Sequence, residues 1–191
     1  MAAKGAVITG SVSLFSGPDD LLLDPASNVI AVDIGGDTTG NVVNGVSFLN
    51  DGTGITGSVS NGGVMVSSTA THSINGWSGA PSYSGGTPGS AAALGNIMHD
   101  IRWSLNPANV SVDITGLSDG TLYNVQLLFS ENGSAADRHP LPGDPNNTGA
   151  VGGDNNPVLH AVIVHEVIPE PGSLALLGLG LSTFFLRRRR N

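Results

Sequence analysis

The chain has 191 residues, no cysteine, 12% charged residues, 5% aromatic residues, 28 glycines and a formal charge of −8. That length holds one domain with an appendage, and the lack of cysteine excludes a disulfide scaffold, thiolate zinc sites, thioredoxin-type redox chemistry and a cysteine nucleophile. Arg187, Arg188, Arg189 and Arg190 are four of the seven basic residues, which leaves Lys4, Arg102 and Arg138 against all but one of the fifteen acids; so acidic a body offers no footprint for nucleic acid.

Taken in order, the chain from Gly5 to Ile168 alternates with a period of two between turn residues, which predicts an all-β domain. Ile8, Val12 and Leu14 alternate with Thr9, Ser11 and Ser13, predicting a strand over 7–15. Further strands are predicted over 29–34, 42–49, 55–60 and 63–68. Gly35-Gly36, Asn50-Asp51-Gly52 and Asn61-Gly62-Gly63 separate them, where a positive φ costs little. Gly35 to Gly40 reads as a hairpin turn, because it opens no helix and does not fit a dinucleotide fingerprint.

Ala91, Leu94, Ile97, Met98 and Ile101 recur at helical spacing and predict a helix over 90–101 that plugs one end or side of the fold. Val110, Val112 and Ile114 alternate with polar neighbours, as do Tyr123, Val125, Leu127 and Phe129, predicting an antiparallel pair with one dry face. The last strand is predicted over 159–167. Stretches 75–89 and 131–157 are rich in Gly, Pro, Ser and Asn and read as long loops. About eight short strands at this spacing predict a β-sandwich or jelly-roll-like domain over residues 1–166 with one short helix. Gly116-Leu117-Ser118-Asp119-Gly120-Thr121-Leu122-Tyr123 resembles the Gly-Leu-x-x-Gly-x-x-Tyr turn of fibronectin-type sandwiches, and the resemblance implies that Tyr123 packs at a corner.

Candidate chemistry in the body is sparse. Trp77, Tyr83 and Trp103 are the candidates for a sugar-stacking platform, since a flat aromatic surface suits a pyranose ring. Asp144, Asn146 and Thr148 occupy positions 1, 3 and 5 of a calcium-type loop with Gly149 at position 6. Asp154 stands beside position 12, where Asn155 replaces the bidentate Glu such a loop needs. Histidines 72, 99, 139, 160 and 165 are scattered, and no serine sits in a Gly-x-Ser-x-Gly elbow. A hydrolase therefore ranks behind a binding module.

The last segment is the most informative. Residues 167–191 contain Pro169-Glu170-Pro171, then an uncharged run over 174–186 with Leu174, Leu176, Leu177, Leu179, Leu181, Phe184, Phe185 and Leu186, then the four arginines. As one hydrophobic helix the run is ~20 Å long, against a hydrocarbon core of ~30 Å, too short for a permanent span. The arginines stay on the cytoplasmic side, which puts the body across the membrane. This order of parts resembles the PEP-CTERM sorting signal of Gram-negative bacteria, a tail also described as the ice-binding protein C-terminal domain.

The resemblance implies recognition by an exosortase, a membrane-embedded transpeptidase-like protease, with cleavage near Pro169-Glu170-Pro171. Those three residues are then read by a partner enzyme and catalyse nothing themselves. Ice binding does not carry over to the body, where Thr38-Thr39 and Ser67-Ser68-Thr69 form no Thr-x-Thr repeat. Such proteins normally begin with a secretory leader. Met1 to Gly17 has one lysine and no apolar core, which reads as a truncated start. The function expected is that of an exported, non-enzymatic cell-surface or exopolysaccharide-matrix protein, with a secreted carbohydrate-binding module as the alternative and a secreted hydrolase third. Its expected partners are an exosortase, the inner membrane transiently and exopolysaccharide, with calcium the one cofactor in view.

Overall fold

The computed structural model describes residues 9–76, 82–105, 107–130 and 156–168. Within them the period-two stretches become strands. In chain order these are β1 (Asn28–Asp33), β2 (Val42–Val43), β3 (Val46–Ser47), β4 (Leu49–Asn50), β5 (Thr56–Asn61), β6 (Val64–Thr69) and β7 (His72–Ile74). After the helix α1 (Ser90–Ile97) come β8 (Ile101–Trp103), β9 (Ser111–Thr115), β10 (Tyr123–Leu128), β11 (Val158–Leu159) and β12 (Ala161–Glu166). The described chain is thus mostly strands in several sheets with one short helix.

The central sheet has the order β10-β12-β1-β4, with β12 antiparallel to both β10 and β1, and β4 parallel to β1. Strands β1 and β12 lie inside it and are covered on both faces. Ile30, Val32, Ile34, Val162 and Val164 meet Val64, Val66 and Leu159 in one apolar layer, under the sheet β5-β6-β9. Ala31, Ala161 and Ile163 meet Val43, Val46, Phe48, Leu94, Ile97, Met98 and Leu128 in a second layer, under α1 and the β2-β3 hairpin. Burial on both sides explains why these two strands read as near-continuous apolar runs. Each fully buried Val or Ile contributes ~1.5–3 kcal/mol of transfer free energy, so the two layers hold most of the stability. A third sheet, β11-β8-β7, shares its last chain segment with the centre, because β11 runs into β12 through His160.

Several expectations are corrected. Residues 9–15 form no strand. Asn44 and Gly45, at φ 48 and 81, make a tight turn that splits 42–49 into three short strands. The helix ends at Ile97, and Ile101 opens β8. The chain leaves the helix because the Asp100 carboxylate is held by the backbone N–H groups of Gly76, at 2.9 Å, and Asp37, at 3.3 Å. Gly35 to Gly40 is no hairpin turn but a crossing from the central sheet to β2.

Strands β9 and β10 do not pair. β9 pairs with β6 and β10 with β12, so 116–122 is an arch between two sheets. Since β10 is an edge strand, its expected dry face stays open, with Val125 and Leu127 45% and 46% exposed. Among the described residues no helix is long and apolar enough to cross a membrane. The hydrophobic helix expected over 174–186 lies outside the described residues.

Candidate functional site

Two places stand out: the end of the body at Val167 and Ile168, where the motif singled out by the sequence begins, and a polar knot under the central sheet. At the first, β12 closes the fold. Glu166 pairs with Tyr123 in register, and its N–H donates to the Ser27 carbonyl at 2.9 Å. The Val167 N–H donates to the Leu122 carbonyl, also at 2.9 Å. The arch that receives Val167 is braced. Gly116 has φ +83, and a Cβ there would run into the Gly63 carbonyl oxygen, so only glycine makes this turn. The Tyr123 hydroxyl oxygen accepts the Ser118 N–H at 3.2 Å, while its ring packs against the apolar layer. Leu122 and Ile168 nonetheless face solvent, 68% and 55% exposed, and Asp24, Asp119 and Glu166 at the same end are exposed acids.

At the second place, Arg102 of β8 is fully buried and forms an ion pair with Asp51. Its other hydrogens go to Ser68 Oγ, to the Gly54 carbonyl at 2.7 Å and to the Gly52 carbonyl at 2.8 Å. The second Asp51 oxygen accepts the Gly35 N–H at 2.8 Å. A Cβ on Gly57 would strike the Asp51 carbonyl oxygen and the guanidinium, so glycine lets β5 close over the pair. Asp33 is equally buried. Its Oδ2 accepts from Asn41 Nδ2 at 3.2 Å, and its Oδ1 has no partner among the described residues.

Burial first, and the neighbouring Asp100 carboxylate second, push the Asp33 carboxyl up to about 8. Burial also raises Asp100. His160 stands between two carbonyl oxygens, Asp100 at 2.9 Å from Nδ1 and Ser130 at 2.8 Å from Nε2. Both acceptors favour its charged form, but burial opposes it more strongly and brings the imidazole down to about 4. Asp51, Arg102 and Ser68 tie β8 and β6 to the chain after β4 through groups partnered within the fold, and among the described residues no three His, Asp or Glu side chains converge as metal ligands. Reading the sequence by turns missed it. Asp51 looks like a turn residue, and its one signal was an arginine flanked by Ile101 and Trp103.

The geometry of the tail's exit gives the comparison with known proteins its meaning. Residues 167–190 match the family model of the PEP-CTERM protein-sorting motif. No curated protein and no solved structure matches the chain. The PEP-CTERM motif implies an exported protein with a C-terminal sorting tail in the cell envelope, processed by an exosortase-type membrane enzyme. Its first two residues, Val167 and Ile168, belong to the folded body, and Val167 still contributes a sheet-edge hydrogen bond. Pro169, Glu170, Pro171, the apolar run and Arg187 to Arg190 lie outside the described residues.

Of the other predicted site residues, Tyr83 and Trp103 are described, and they stack on different partners. Tyr83 stacks on Phe15, with centroids 5.6 Å apart and planes 12° from parallel, at the margin of the helix-covered layer. Its hydroxyl is buried without a partner among the described residues, and burial holds its proton more tightly than usual. Trp103 stacks instead on His72 across the β7-β8 pair, at 4.2 Å and 20°, and its Nε1 has no partner among the described residues. Each ring has its own stacking partner. Trp77, Asp144, Asn146, Thr148 and Asp154 lie outside the described residues.

Proposed function

We propose that the chain is a non-enzymatic β-sandwich module of jelly-roll-like class, delivered across the inner membrane to the cell surface or an exopolysaccharide matrix. The protease cuts it near Pro169-Glu170-Pro171, and the body continues without its tail. The observation that carries this reading is the position of the motif: it begins directly after β12, at Val167, whose N–H is bonded to Leu122. Every described member of the two apolar layers precedes Pro169, which supports a body that keeps its core when the tail is removed. The run over 174–186 holds the bilayer only in passing, and the arginines keep the far end in the cytoplasm until the cut is made.

The non-enzymatic reading is supported by the engagement of the titratable groups. Asp51, Asp100, Arg102 and His160 are bonded within the fold. Fractionation of cells expressing the protein tests the destination. The account expects the body with the surface or exopolysaccharide fraction. Recovery in the cytoplasm would overturn it.

A further inference from the structure

The exit end of the body lies very close to the membrane. Ile168 is the last residue of the body, and the apolar run begins at Leu174. Six residues of chain reach at most ~21 Å even when fully extended. The headgroup layer takes up ~5–8 Å of that, leaving a gap of ~13–16 Å, little more than the ~10–12 Å diameter of one helix. A protease that grips Pro169 to Pro171 from outside the bilayer must work in this gap. It has the folded end of the body directly above it, because Val167 is still bonded to Leu122.

That end carries two exposed aliphatic side chains, Leu122 and Ile168. It also carries three exposed acids, Asp24, Asp119 and Glu166, with no exposed base in the 116–122 arch or the 24–28 turn. Apolar side chains ringed by acids are unsuited to an anionic lipid surface, which repels carboxylates. They suit a protein surface of apolar and basic character.

We propose that the end of the body formed by the 116–122 arch, the 24–28 turn and Ile168 is a docking surface for the outward-facing side of the processing protease. The enzyme thus reads the folded domain as well as the tail. This rests on the reading of residues 167–190 as a cleaved tail. Docking at Leu122 raises the local concentration of the scissile segment, because six residues leave it almost no freedom to move away.

The test follows cleavage of the full chain in cells that contain the protease, by intact mass over time after induction. Leu122→Glu places a charge on an exposed side chain and leaves the apolar layers untouched, so the melting transition of the body is expected to stay put. Asp119→Lys, on the tip of the arch, is the second probe and reverses the charge. Each is expected to be cut about fivefold more slowly than wild type, as befits the loss of one interface contact.

Cutting of both variants at the wild-type rate would overturn the docking surface, leaving the cleaved tail in place. A wild-type chain that is itself never cut would remove the underlying reading, and the docking surface with it. Insertion of about twelve Gly and Ser residues between Ile168 and Pro169 uncouples body from tail. In that background the account expects Leu122→Glu and its parent to be cut alike, and a persistent difference would contradict the flush geometry.

Discussion

Asp33 and His160 are both buried, and they pull the stability of the body in opposite directions as pH changes. Asp33 has a folded value near 8, far above its unfolded range. Its contribution is therefore whole below about pH 4 and is lost as pH rises through 8. His160 has a folded value near 4; its contribution is whole above about pH 6.5 and is lost as pH falls towards 4. Between 4 and 6.5 these two slopes cancel, and between 6.5 and 8 the Asp33 slope remains, in the same direction as that of Asp100, which burial also raises. Denaturant unfolding across this range is expected to show a plateau followed by a decline, and Asp33→Asn is expected to flatten the decline and stabilise the protein at pH 8 by about 1–3 kcal/mol. A wild-type protein that gains stability from pH 6.5 to 8 would contradict the assignment.

Arg102 belongs to the same scale. Arg102→Met leaves Asp51 charged in a dry site and is expected to cost about 3–5 kcal/mol in the same unfolding measurement. A loss below about 1 kcal/mol would mean that water reaches the pair.

At the scale of elements, the last strand matters most. β12 is the final strand among the described residues and an interior strand of the central sheet, bonded on one side to β1 and on the other to β10. The sheet has no continuous centre until residues 161–166 arrive. A chain ending at Ile168 keeps all of β12 and is expected to melt within about 2 °C of the full chain, whereas one ending at Leu159 is expected to show no cooperative transition by circular dichroism. Equal melting of both would remove β12 from the core.

This strand was legible in the sequence, as were β1, β5, β6, β9 and β10, because alternation or an unbroken apolar run marks which faces are buried. The Gly116 to Tyr123 turn was legible for the same kind of reason: its glycine and tyrosine each meet a local backbone demand. The partner of each strand was not legible. The pattern in β9 and β10 says which side chains face inward, and it says nothing about whether the next strand joins the same sheet or crosses to another. β7 and β8 are three residues each, too short to show a period, and the buried Arg102 and Asp51 became a pair only through contacts 51 residues apart in sequence. On the candidate site the order was reversed. The tail's chemistry is local and was readable residue by residue, while the docking end exists only where 24–28, 116–122 and 166–168 meet in space.

On the scale of the whole molecule, an acidic two-layered body is joined with no spare linker to a short apolar run and a basic end. The division of charge falls near Pro169, two residues into the PEP-CTERM motif. In the function proposed above, the tail is held briefly and then cut. The most direct test is the intact mass of the mature protein, expressed from its genomic start and purified from cells with and without the processing protease. The account predicts a C-terminus at or near Pro169-Glu170-Pro171 when the protease is present and at Asn191 when it is absent. A mature protein that keeps Arg187 to Arg190 in the presence of an active protease would contradict it.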